Sequence, residues 1–125
     1  MGDRAELQMN FPENGALYLY THWHGSELPI RLRHALEHGI SRWGNESYLA
    51  RILISRIVTD HEDTTGHGIA PYPMESEYPK LIADLDRQTV TINGHAYTFR
   101  QYIAANERDI LRHWYDADDE YVDED

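Results

Sequence analysis

Thr89-Val90-Thr91-Ile92-Asn93-Gly94-His95-Ala96-Tyr97-Thr98-Phe99 is the stretch that decides the fold. Asn-Gly between two alternating runs calls for a two-residue type I′ turn, because both turn residues must take positive φ. With that turn, Ile92 opposes His95 and Val90 opposes Tyr97. Val90, Ile92, Tyr97 and Phe99 then share one face, as expected of an antiparallel sheet buried on one side. Thr98-Phe99-Arg100-Gln101 has capping-box spacing. The hairpin should therefore run straight into a helix reaching about Trp114, with Tyr102, Ile103, Ile110, Leu111 and Trp114 as its apolar stripe.

Working upstream, Lys80 to Leu85 reads as a strand with Leu81, Ala83 and Leu85 on one face. Asp86-Arg87-Gln88 turns it into the hairpin. Met74 to Pro79 is an acidic connection. Ile69 to Tyr72 reads as a short strand, ended by Pro71 and Pro73. Asp60 to Gly68 has no periodicity and two glycines, which marks a long exposed loop. Glu46 to Thr59, capped by Asn45, is an apolar helix. An earlier helix runs roughly from Glu27 to His38, with Ser26 as cap, Leu28, Leu32, Ala35 and Leu36 as core stripe, and Gly39 as stop. At the front, Glu6 to Phe11 alternates and Pro12-Glu13-Asn14-Gly15 turns. The partner strand is Leu17 to Trp23. Its register is open: a four-residue loop pairs Met9 with Tyr18, and a five-residue loop pairs Met9 with Leu19. A slip of one residue flips every side chain to the other face.

The expected architecture is α+β. It has a mostly antiparallel sheet with about three helices packed on one face. Residues 1–115 form a single domain, and 116–125 form an acidic tail with the composition of disorder.

Charge is the strongest global signal. The formal net charge is −11, and Asp116–Asp125 hold seven acids and no base. That balance argues against direct nucleic-acid binding, which needs Lys and Arg against phosphates. It favours a basic partner. No apolar run is long enough to span a membrane, and no secretory signal precedes the first strand, so the expected location is cytoplasmic. The absence of cysteine removes thiolate catalysis and thiolate metal sites.

Ala16-Leu17-Tyr18-Leu19-Tyr20-Thr21-His22-Trp23-His24-Gly25 concentrates the chemically capable side chains. Alternation sends Tyr18, Tyr20, His22 and His24 one way, and Leu17, Leu19 and Trp23 the other. Trp23 and Trp114 are expected in the core. His22 and His24 can chelate a metal only with a third ligand from Asp60, His61, Glu62, Asp63, His67 or His95. The plainer reading is a polar sheet face. His34 and His38 fit a solvated helix face better than a metal pair. No Walker loop, Rossmann glycine pattern or nucleophile elbow is present. The reading therefore names no catalytic residue, metal or cofactor. Its binding candidates are Tyr18 and Tyr20 as aromatic anchors, Glu75, Glu77, Asp84 and Asp86 as pre-ordered acids, and His22 and His24 at the strand end.

Four stretches carry a resemblance: Tyr20-Thr21-His22-Trp23, Tyr48-Leu49-Ala50-Arg51-Ile52-Leu53, Thr65-Gly66-His67-Gly68-Ile69 and Gln88-Thr89-Val90. In these the chain resembles a group of small phage and actinobacterial proteins of unassigned function. The resemblance implies a mobile-element origin and a host-interaction or anti-defence role, and it attaches no activity to any residue. The functional expectation is a non-catalytic acidic protein that occupies a basic surface of a partner, such as a host nucleic-acid-handling complex. A homodimer is left open. The alternative is a small-ligand, nucleotide or metal binding protein, or an enzyme, that uses His22, His24 and the 60–68 loop.

Overall fold

Residues 2–58 and 65–115 are described by the computed structural model. The expected acidic tail and the acids of the 60–68 loop lie outside these residues. Alternation becomes strand near where it was expected, except that the short strand expected over Ile69 to Tyr72 runs from His67 to Ala70, taking in the end of the expected 60–68 loop. β1 (Ala5–Asn10) buries Ala5, Leu7 and Met9 and turns Glu6, Gln8 and Asn10 to the opposite side. β2 (Ala16–Thr21) returns beside it, followed by α1 (Leu28–His38) and α2 (Glu46–Ile57). Then come β3 (His67–Ala70), β4 (Leu81–Asp84), β5 (Thr89–Ile92), β6 (His95–Thr98), α3 (Phe99–Ala104) and α4 (Glu107–Tyr115).

The strands form one sheet in the order β3-β2-β1-β4-β5-β6. All neighbours are antiparallel except β1 and β4, which run parallel with Leu7 opposite Leu81 and Met9 opposite Ala83. The inward residues of the sheet, among them Leu7, Leu19, Leu81 and Val90, pack against Leu32, Leu53, Phe99, Tyr102 and Trp114 of the helices in one core. This is the α+β architecture with its helices on one face. Among the described residues no helix is long and apolar enough to cross a membrane.

The last hairpin adopts the type I′ geometry, with φ of 50° at Asn93 and 85° at Gly94. Ile92 opposes His95 and Val90 opposes Tyr97. The capping box forms in both directions: Gln101 N–H to Thr98 Oγ1 at 3.0 Å, and Thr98 N–H to Gln101 Oε1 at 2.9 Å.

Four local expectations are corrected. Met9 lies opposite Leu17, so neither expected register of the first hairpin is adopted. Phe11 N–H meets Gly15 O at 2.7 Å, and Glu13 and Asn14 close the turn with φ of 62° and 69°. Asparagine tolerates that left-handed region, whereas glutamate rarely visits it, so the sequence shows that the chain turns here but not in this register. The expected final helix is two, broken after Ala104 and restarted at Glu107, with Arg108 N–H held by Asn106 Oδ1 at 2.7 Å. The break lets both pieces reach the core. Tyr102 donates to Pro29 O at 2.7 Å, and Trp114 donates to Gly25 O at 2.9 Å. Ser26 does not cap α1. It sits in a 3-10 turn over Gly25–Glu27, and its N–H is taken by Asp3 Oδ2 at 2.9 Å. Trp23 is 48% exposed rather than core, because β2 ends at Thr21 and the chain bends outward before it.

Gly39 ends α1 as expected, but at an ordinary φ of −97°. A Cβ there would stand 3.1 Å from Leu49 Cδ1 and 3.2 Å from Ile52 Cγ2, so the glycine permits close approach of α2 rather than a special conformation.

Candidate functional site

The face of the sheet away from the helices is built in rungs. Tyr20 pairs with Glu6. The next rung on this face aligns Tyr18, Gln8, Ile82 and Thr91, and the one after it aligns Ala16, Asn10, Asp84 and Thr89. Tyr18 and Asp84 are thus brought near each other by the β1–β4 pairing, two strands and one rung apart, or about 12 Å at the strand and residue spacings.

A concavity of about 510 Å³ opens at one end of this face. It lies between the β1–β2 turn and the β4–β5 turn. β1 and β4 point the same way, but their connections leave in opposite directions, β1 toward β2 and β4 toward β5. Diverging connections at the carboxyl ends of parallel neighbours leave a crevice, which is the geometry behind ligand sites at the switch points of open sheets. The lining includes Gln8, Asn10, Tyr18, Glu13, Asp84, Asp86 and Arg87. Asp84 Oδ1 accepts the backbone N–H groups of Asp86 at 3.1 Å and Arg87 at 2.9 Å, which fixes the turn and leaves its other oxygen uncommitted. Gln8 Nε2 donates to Asn10 Oδ1 at 2.8 Å. Glu13, Asp84 and Asp86 face a single lining base, Arg87.

The other end of the face is crossed by the segment at 74–79. Met74 N–H donates to the Glu6 carboxylate. Arg4 stands 3.7 Å from Glu75 and 3.4 Å from Glu77, so these two candidate acids are partly spent on fastening the segment. Tyr20, opposite Glu6 on the neighbouring strand, holds its hydroxyl 2.9 Å from His22 Nδ1. Burial raises the Tyr20 phenol pKa, and the carboxylates of Glu75 and Glu77 add to the rise while Arg4 opposes it.

His22 and His24 part company. His22 meets Tyr20 and packs edge-on against Trp23 at 4.1 Å. His24 turns toward the helix layer, stacks on His67 at 5.9 Å and pairs with Arg31 at 3.3 Å. Thr21, 1% exposed, ties this second group together: its Oγ1 accepts His24 N–H at 3.2 Å and pairs with His67 Nε2 at 3.4 Å. Among the described residues, no group of three His, Asp or Glu side chains could hold a metal ion. His34 stands 3.7 Å from Glu107, and His95 stacks on His113 at 3.8 Å.

The structure therefore gathers Tyr18, Asp84 and Asp86 at the concavity, and Tyr20, Glu75 and Glu77 around Arg4, with His22 joined to them through Tyr20. It leaves His24 in neither group. Gln8, Asn10, Glu13 and Arg87 line the concavity without having been singled out in sequence. They fall on the outward rungs and turns of expected strands, but only the parallel pairing places them together.

Comparison of the chain with protein-family models, with curated proteins and with solved structures finds no match.

Proposed function

We propose that the chain is a non-catalytic binding protein that seats a basic surface of a partner protein on the open face of its sheet. The observation that supports this reading is the meeting of Tyr18, Asp84 and Asp86 at one concavity. An aromatic ring beside carboxylates with free oxygens suits a Lys or Arg side chain, through ion pairing and cation–π contact. Over this side of the molecule as a whole, Glu6, Glu13, Glu75 and Glu77 outnumber Arg4, Lys80 and Arg87. The resemblance to phage and actinobacterial proteins extends the proposal to a mobile-element product that works in the cytoplasm as an inhibitor of a host or defence complex.

The test is capture of basic proteins by wild-type chain and by the Asp84→Asn/Asp86→Asn double variant, at low and high salt. Asparagine keeps the turn acceptor at 84 while removing charge. Capture should fall by about tenfold or more in the variant, and should fall for wild type as salt rises. Capture that ignores both changes refutes the proposal.

A second reading follows from the size of the concavity, which lies within the range of small-molecule sites. In that case an amine-bearing small molecule takes the same carboxylates. A thermal-shift panel of amines and nucleotides separates the two, because only this reading expects a saturable rise with a small molecule.

A further inference from the structure

The helix layer offers the opposite charge from the open sheet face. On α2, Tyr48, Arg51 and Ser55 are exposed, and their spacing places them in one stripe along the helix. Arg42 joins the stripe with its guanidinium 4.7 Å over the Tyr48 ring. Arg51 meets Ser55 Oγ at 3.4 Å. Among the described residues neither arginine takes part in an ion pair, although other arginines of the molecule do. Tyr48 is 52% exposed. Arginine and tyrosine on an outward helix face are the residue types that anchor interfaces.

We infer that this stripe docks into the open sheet face of a second copy of the chain, so that copies join head to tail. The inference rests on the reading of that face as a seat for basic surfaces, and adds that the chain carries such a surface itself. Arg42 and Arg51 meet Asp84, Asp86 and Glu13, and Tyr48 meets the concavity beside Tyr18. From Tyr48 to Ser55 the ridge is about 10 Å long at the helical rise. That is short enough to enter a concavity of about 510 Å³. The two surfaces lie on opposite sides of one molecule, so the contact is heterologous. It closes into a ring if the rotation allows and otherwise extends as a filament. The net charge of −11 opposes approach at long range. At physiological salt the Debye length is about 8 Å, so the local pairs decide.

Sedimentation of the full-length chain over a series reaching millimolar concentration tests this. The average mass should grow with concentration, and less so as salt is added. Arg51→Glu and Asp86→Arg should each weaken association by about tenfold or more when studied alone. Mixed in equal amounts, they should associate again, because the intact sheet face of Arg51→Glu takes the intact stripe of Asp86→Arg and the reversed charges at 51 and 86 attract each other. Circular dichroism checks that both variants fold. A wild-type chain that stays monomeric throughout overturns the inference. So does a dimer that neither substitution disturbs, since that dimer is symmetric. Arg51→Glu leaves the sheet face untouched, so normal capture of basic proteins by it, together with a monomeric wild type, would sink the inference and spare the proposed function.

Discussion

At the scale of single residues, Trp114 and Asp3 fasten the two termini of the described chain to the 3-10 turn that precedes α1. Trp114 is 1% exposed, stacks on Tyr78 at 4.8 Å and 2°, and donates to Gly25 O. Trp114→Ala removes a large buried ring and leaves a carbonyl without its donor, so it should cost about 3–5 kcal/mol, read from urea denaturation. A loss under 1 kcal/mol would mean the site refills. Gly25 has no room for more, since a Cβ there would fall 2.5 Å from Asp3 O. Asp3 accepts from Tyr78 Oη at 2.6 Å and from Ser26 N–H. Burial alone would raise its carboxyl pKa, but these hydrogen bonds and the nearby His24 hold it below the ordinary value. The folded form thus binds the proton less readily than the unfolded one. The stability this contributes is present above about pH 4 and drains away as pH falls through the depressed value. Asp3→Asn should therefore be less stable at neutral pH and should show a shallower loss as pH falls below about 4, followed by urea midpoints. Parallel acid limbs for the two proteins would exclude Asp3 as the cause.

At the scale of elements, the parts legible in sequence are those whose causes are local. The β5–β6 hairpin follows from Asn93-Gly94 and four inward residues, and α3 follows from Thr98 and Gln101. The cap is open to test: Thr98→Ala should cost about 1 kcal/mol, seen as a lowered denaturation midpoint with unchanged slope. No change would mean the exposed first turn of α3 is held by Phe99 alone. The β1–β2 register was illegible because it depends on Glu13 and Asn14 entering a region that glutamate seldom occupies. The break between α3 and α4 was illegible because Ala104 and Ala105 favour helix. What stops the helix there is tertiary, namely the need for Tyr102 and Trp114 to reach different parts of the core. His22 and His24 would share a face only in a strand that ran past Thr21, and β2 ends there.

At the scale of the whole molecule, the candidate site is a product of topology. Tyr18 and Asp84 stood out separately in sequence, as an aromatic on one strand and an acid on another. Nothing local says that β1 lies between their strands, since parallel pairing of β1 with β4 is a contact between distant segments. The same pairing dominates the assembly of the chain in time. Leu7 must wait for Leu81 before its strand has both neighbours. At synthesis rates of about 5–20 residues per second, that interval is roughly four to fifteen seconds. Throughout it the outer edge of β1 is an open row of N–H and C=O groups that another strand can take. The pair that builds the concavity joins segments far apart in sequence, a kind of contact that slows folding relative to local pairing, and it leaves the nascent first hairpin with an unpaired edge until β4 arrives.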